Sequence, residues 1–509
     1  MSEASAASVA VARPPSSALI MAAAAGACQV LAFAPFGYHW VAPLTLGFLL
    51  LLWSNASVRH AAWIGYSFGL GHFVAGTYWL YISLNILGGL WPPLAVLLML
   101  ALVAALAAYI AATGALVVWL APHDGVWRWL VVFPGAWLVC EWLRGWLITG
   151  FPWLSLGYSQ VSTPLGGLAP LLGVYGVSMA ALLLAGLTVI IVRRAWPARL
   201  AAFAAVAAAL LALQPLERAR WTEPVTAPLN VTLVQGAIPQ ERKWRADQLQ
   251  PTLDLYRRLS LEVDGQDLIV WPEAAIPAFP FEVSEFITEL RAELRRRDTQ
   301  LFTGILTYDS EQGQYLNTLW ALGTESGEYH KRHLVMFGEY FPLPEFAKRW
   351  LRIMNLPSED IASGAADQPL LTAKGVPVAT TICYEIAFAA EQLPFITRAQ
   401  LLVNVSNDAW FGDSIAPHQH LQISQMRARE AGRYLLRATN TGITAVIDPT
   451  GRVLERLPQF EAGVIRMPVL PHTGPTPYAR LGNWPVLTLA FAALLSSGWR
   501  RWLQVRPPR

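Results

Sequence analysis

A chain of 509 residues is too long for one hydrophobic core and should divide into at least two units. Only 14% of its residues are charged while 54% are hydrophobic, a balance that a wholly water-facing surface does not tolerate, so much of this surface meets lipid. The net charge of +3, spread along the chain, excludes a nucleic-acid surface, and Cys28, Cys140 and Cys383 are too scattered for a disulfide framework or a metal site.

The first apolar run ends in Ala32-Phe33-Ala34, which has the small-residue pattern of a signal-peptidase site. Only one basic residue, Arg13, precedes it and more apolar runs follow at once, so a retained first helix is expected. Seven stretches, at 17–35, 40–54, 61–85, 92–120, 128–148, 166–192 and 198–214, are close to the length that crosses a bilayer core, and an eighth covers 483–499. The expected organisation is a seven-helix bundle over 1–215, an extramembrane domain over 218–480, and a last membrane helix with its tail over 483–509.

Basic residues in short loops are retained on the cytoplasmic side. With the N-terminus inside, the inner segments hold Arg13, Arg59, Arg128, Arg193, Arg194, Arg199, Arg500, Arg501, Arg506 and Arg509. The opposite loops, near His39, 86–91 and 149–165, hold no Lys or Arg. After an odd number of spans, the block from 218 to 480 then lies outside the cytoplasm. Trp40, Trp91, Trp127 and Trp153 fall near span ends and fit interfacial belts. Glu141 and Arg144, three residues apart on one helix, are expected to pair, with contact to lipid headgroups as the alternative, and His72 reads as a satisfied packing histidine.

The block from 218 to 480 is charged and alternates strand-like runs with helical ones. Strands are expected at Asn230 to Gln235, Asp267 to Glu273, Gln300 to Leu306, Val376 to Glu385 and Gln400 to Asn407, and helices at 246–262 and 282–297. Strand followed by helix, repeated, implies an α/β layered domain.

Such sheets place their chemistry at the carboxyl ends of strands. Leu268 to Glu273 delivers a carboxylate there, Thr380 to Glu385 delivers a thiol, and Lys331 lies between them in a stretch with strand-like flanks. A thiol needs a base to become a nucleophile, and Glu273 can act as one if burial raises its affinity for protons. Attack on an ester or amide carbonyl creates an oxyanion, which Lys331 and a backbone N–H can stabilise. A lone strand cysteine is also often an inert buried thiol.

Three segments, Trp271-Pro272-Glu273, Lys331-Arg332-His333-Leu334-Val335 with Phe337-Gly338-Glu339, and Cys383-Tyr384-Glu385, resemble the motifs of the nitrilase superfamily, in order and at fitting separations. With apolar spans on both sides, nearly the whole chain resembles the apolipoprotein N-acyltransferase family. Gln235-Gly236-Ala237-Ile238-Pro239-Gln240, Ser406-Asn407-Asp408-Ala409-Trp410-Phe411-Gly412-Asp413 and Arg437-Ala438-Thr439-Asn440-Thr441-Gly442-Ile443-Thr444 extend the match. Met336 stands where proline is expected in many members, a departure of loop shape.

The resemblance implies a polytopic bundle of about eight membrane helices carrying an αββα sandwich with a Glu273-Lys331-Cys383 triad, working without cofactor or metal. It implies a phospholipid acyl donor, a thioester on Cys383, and an amine acceptor on a diacylglyceryl-modified apolipoprotein, in the bacterial inner membrane with the catalytic domain periplasmic. A monomer is expected. By similarity Glu339 holds Lys331 and Glu273 in register, unless it is an ordinary salt bridge. Tyr384 and Glu385 act directly or only pack beside the nucleophile, and Trp244 and Trp410 wall the acyl site or simply pack. The apolar segment with Phe341, Leu343, Phe346, Trp350, Leu351, Ile353, Met354 and Leu356 reads as a lid toward lipid or as core. The same triad would also serve a membrane-anchored amidase or nitrilase, and a catalytically inactive lipid-binding or transport protein is the rival of another class.

Overall fold

The computed structural model describes residues 15–505 apart from 226, 311–312, 337 and 341–360. Each of the eight apolar stretches carries helix: Ser16–Gln29, Val41–Trp53, Val58–Thr77, Pro92–Leu120, Phe133–Arg144, Ala169–Arg193, Trp196–Arg218 and Trp484–Val505. Among the described residues, three helices, Pro92–Leu120, Pro164–Arg193 and Trp196–Arg218, are long and apolar enough to cross a membrane, and Ser16–Ala32 and Val41–Trp53 are shorter apolar helices.

Two expected spans depart from a regular α-helix. The third changes type rather than ending: Val58–Thr77 passes through Tyr78 into Trp79–Tyr81 and then widens into a π-helical turn over Ile82–Leu87. The fifth ends at Arg144 rather than at 148. Ile148 and Thr149 take left-handed backbone conformations, and the Phe151 N–H closes the turn onto the Arg144 carbonyl at 2.7 Å.

Two sheets lie face to face. One orders its strands Gly463–Val469, Leu229–Gln235, Leu268–Val270, Gln300–Asp309, Gln314–Gly323 and Gly327–His330, with Ile361–Ala362 added beside Gln314–Gly323. The other runs Val453–Arg456, Ala445–Ile447, Leu435–Thr439, Leu401–Ser406, Val376–Ile382 and Leu371–Ala373. The central strands of each are parallel.

Side-chain alternation assigns the layers. Leu268 and Val270 point into the space between the sheets, where they join Leu233, Phe302, Ile382 and Val403. Ile269 and Trp271 point the other way, against Leu253, Ile287 and Leu290 of the helices Ala246–Leu261 and Ser284–Arg296. The outer face of the second sheet packs on helix Ala416–Ala431, and there the core does not stop. Ala379, Leu402 and Met426 belong to the same continuous apolar cluster as Tyr158, Val174 and the rest of the helical bundle.

The expected strands and helices of this region form, with two strands shorter than expected: the one expected over Asp267 to Glu273 is confined to Leu268–Val270. Strand Val376–Ile382 ends before Cys383, which opens a short 3-10 turn over Cys383–Ala387.

Candidate active site

Strand ends bring the singled-out residues together. Glu273 follows Leu268–Val270, Lys331 follows Gly327–His330, and Cys383 follows Val376–Ile382. Cys383 itself has φ +54°, a conformation that costs a residue with a Cβ about 1–3 kcal/mol and so marks a turn held by its surroundings. Ala237 and Ala274, also just past strand ends, share this left-handed backbone at 52° and 47°.

The Glu273 carboxylate is held from three sides. Asn317 Nδ2 donates to Oε1 at 2.8 Å, the Asn407 backbone N–H to Oε2 at 2.8 Å, and the Lys331 ammonium stands 3.6 Å away. Lys331 is buried and also pairs with Glu339 at 2.7 Å. Asn317 donates to Glu339 as well, at 3.2 Å, so both carboxylates share an amide and a cation. The other oxygen of Glu339 accepts from the Val335 N–H at 2.8 Å, which fixes the loop after Lys331. Burial works against the Lys331 charge, but Glu339 and Glu273 outweigh it and keep the amine protonated.

Cys383 is partly exposed among buried neighbours. Burial pushes its thiol well above the ordinary range, the Glu273 charge adds to this, and Lys331 opposes it. The thiol therefore lies within the electrostatic reach of both other residues and is mainly protonated at neutral pH, which is the state that a neighbouring base can act on.

Glu385 is fully buried, and its acceptor positions are occupied. It takes hydrogen bonds from the Ile382, Arg332 and His333 N–H groups at 2.7, 2.6 and 3.1 Å and from the Tyr329 hydroxyl. It thereby joins the Cys383 turn to the Lys331 loop. Tyr384 points to the bundle, with its hydroxyl donating to the Gly150 carbonyl at 3.4 Å and its ring against Phe388 and Trp153. Trp244 and Trp410 are 50% and 42% exposed, and the Trp410 carbonyl accepts from the Ser83 hydroxyl of the wide turn in the bundle.

Several sequence expectations need correction. Glu141 and Arg144 form no ion pair. Glu141 accepts from Trp137, Ser178 and the Leu156 N–H, while Arg144 donates to the carbonyls of Phe151 and Trp153 and to Ser155. Arg144 is held by the loop that follows and Glu141 by its own helix, that loop and the helix Ala169–Arg193, which their spacing on the helix does not reveal. Trp153 is no interfacial anchor. It is 1% exposed and packs against Trp79, Phe411 and His420. His72 packs among Phe33, Phe68 and Phe73, yet its Nδ1 has no hydrogen-bond partner. The proposed lid residues from Phe341 to Leu356, and Phe337 before them, lie outside the described residues.

Sequence reasoning assigned no role to Asn317, or to Lys243, whose buried ammonium donates to the Glu273 carbonyl at 3.1 Å. A signal for Asn317 exists: it interrupts the apolar strand Gln314–Gly323 with a buried amide. Lys243 carries none, since it lies in a short charged helix, Gln240–Lys243.

Residues 25–187 match the Apolipoprotein N-acyltransferase N-terminal domain, and residues 230–472 match the Carbon-nitrogen hydrolase family. The apolipoprotein N-acyltransferase of Methylococcus capsulatus is 43% identical over 481 residues, 93% of this chain and 94% of that one. This chain belongs to the apolipoprotein N-acyltransferase family. Another member, from Azotobacter vinelandii, is 44% identical over 487 residues and covers 94% of each chain. Among solved structures, XC1258 from Xanthomonas campestris, a CN-hydrolase superfamily protein, aligns with 52% of this chain and 97% of its own at 17% identity and a TM-score of 0.37. The family's two matched domains fall on the helical bundle and on the pair of facing sheets.

Proposed function

We propose that this chain transfers a fatty acyl group from a membrane phospholipid to the N-terminal amine of a diacylglyceryl-cysteine lipoprotein, with Cys383 carrying the group as a thioester. Glu273 takes the thiol proton as Sγ attacks the ester carbonyl, and returns it to the lysophospholipid oxygen as the C–O bond breaks. The incoming amine then attacks the thioester, Glu273 accepts its proton, and the thiol is restored. Lys331 stabilises the oxyanion in both steps, assisted by a backbone N–H at the start of the Cys383 turn, whose first amides have no helical partner.

The observation that carries this reading is the convergence of Glu273, 3.6 Å from Lys331, on a partly exposed thiol that feels both charges. Glu339 acts as the anchor of Lys331, Glu385 and Tyr384 as supports of the nucleophile turn, and Trp244 and Trp410 as walls for acyl chains. Both substrates keep their chains in the bilayer, so the thiol must stand at a lipid surface. The bundle serves that need. We assign it seven spans over 1–215 and the eighth to 483–509, with the domain of 218–480 on the periplasmic side of the bacterial inner membrane and the chain acting as a monomer.

The test is tandem mass spectrometry of the purified protein after mixing with phospholipid. An acyl mass on the Cys383 peptide, sensitive to neutral hydroxylamine, is expected. Acylation at another residue, or none, overturns the assignment.

A further inference from the structure

The backbone of Cys383 is held as closely as its side chain. Its carbonyl faces two side-chain nitrogens, His420 Nε2 at 3.2 Å and Asn404 Nδ2 at 3.4 Å. A carbonyl only accepts, so His420 carries hydrogen on Nε2. On the other side of the ring, Nδ1 lies 3.0 Å from both Asp408 Oδ1 and Arg437 Nη2. Arg437 also donates to Asp408 Oδ2 at 2.7 Å and hydrogen-bonds Asn404. Burial and then Arg437 hold His420 below its ordinary value, and Asp408 opposes them.

Asp408, His420 and Arg437 are all fully buried. A buried ion pair contributes little net stability, so its presence directs attention to what it orients. It meets the nucleophile through the backbone: His420 and Asn404 fix the Cys383 carbonyl. Two donors on that carbonyl favour the left-handed turn that the residue's own Cβ disfavours.

The helix bearing His420 is seated on the membrane bundle. The Trp153 indole donates to Gln419 Oε1 at 2.6 Å, Gln419 Nε2 to the Gly76 carbonyl at 3.3 Å, and the Ala34 N–H to Gln422 Oε1 at 3.2 Å. His420, which touches the nucleophile's backbone, lies between these two glutamines.

We propose that His420 is a positioning residue for acyl transfer, clamping the Cys383 carbonyl from a bundle-seated helix and so aiming the thiol at Glu273 and Lys331. This rests on Cys383 being the nucleophile. Glutamine can place an N–H near the site of Nε2, whereas asparagine is too short.

The experiment compares full-length wild type, His420→Asn and His420→Gln in detergent, by the single-turnover rate of Cys383 acylation at saturating phospholipid and by the KM for that donor. His420→Asn should acylate about tenfold more slowly, the loss of one buried hydrogen bond, with KM unchanged, and His420→Gln should recover to within about threefold. Should His420→Asn not fold, His420→Met, similar in volume and without an N–H, takes its place with the same expectation. Wild-type rates in His420→Asn, or a His420→Gln as slow as His420→Asn, overturn the positioning role. A wild type that never acylates Cys383 overturns the functional reading instead.

Discussion

Lys331 and Glu273 stand 3.6 Å apart because the Lys331 ammonium is drawn closer to Glu339, at 2.7 Å. In the proposed mechanism the lysine is thus anchored by a carboxylate that takes no part in the chemistry, which leaves it free to face developing negative charge beside Cys383. Asn317 braces both carboxylates, so the spacing does not depend on the cation alone.

Removing the anchor should therefore loosen chemistry more than substrate binding. Glu339→Gln loses a charge-assisted hydrogen bond, which corresponds to about 1.5–3 kcal/mol, so kcat should fall about 10- to 100-fold. The KM for phospholipid should stay within about threefold, since the ammonium has no ground-state ester contact to lose. Steady-state kinetics in mixed micelles checks this, and an increase in KM at constant kcat would assign Glu339 to substrate binding.

The thiol supplies a prediction in which two readouts move in opposite directions. Glu273 is negative and pushes the Cys383 thiol up, so Glu273→Gln should shift the pH dependence of iodoacetamide alkylation to lower pH. Acyl transfer should meanwhile fall about 100-fold or more, because the base is gone. Lys331→Met should shift the alkylation curve to higher pH, since Lys331 opposes the upward push. An upward shift in Glu273→Gln would mean that the carboxylate does not face the thiol.

Much of this architecture was legible in the sequence. Strand Leu229–Gln235 and helix Ala246–Leu261 follow from alternation and amphipathic spacing, and Trp271-Pro272-Glu273 announces a strand end because proline cannot continue the ladder. Chemistry set by long-range approach was not legible. Nothing near Glu273 in the chain reveals that Asn317 and the Asn407 N–H will hold it, and the spacing of Glu141 and Arg144 suggests a pair that separate partners dissolve, Phe151, Trp153 and Ser155 for Arg144 and Trp137, Leu156 and Ser178 for Glu141. A change of helix type, as at Ile82–Leu87, is likewise beyond a hydropathy window.

Glu385 should be intolerant of its own amide. Every hydrogen bond to its oxygens comes from a donor, so Glu385→Gln turns one acceptor into a second donor facing buried N–H groups. A loss of about 2–4 kcal/mol of stability is expected, together with slower acylation of Cys383. Thermal unfolding in detergent and single-turnover acylation measure the two effects, and an unchanged unfolding midpoint would contradict this bonding pattern.

Arg144 should matter for stability through carbonyls rather than through Glu141. Arg144→Met leaves the Phe151 and Trp153 carbonyls without their donor, at a cost of about 2–5 kcal/mol, and loosens the loop that receives Tyr384. Glu141→Gln should be destabilising for its own reason, since an amide nitrogen replaces an oxygen that accepts from buried donors. The two losses should add in the double variant, because the two side chains share no partner, and a coupling of more than about 1 kcal/mol would restore the ion-pair reading.

The account stands on an acyl group that leaves Cys383 for an amine, and the isolated acyl-enzyme tests this most directly. Purified protein loaded from labelled phospholipid and freed of donor should hold its label in buffer, then pass it within a turnover to the α-amine of a diacylglyceryl lipopeptide, with product forming in step with loss of the Cys383 adduct. Release of free fatty acid at the same rate with and without the lipopeptide would contradict the account and make the protein a hydrolase.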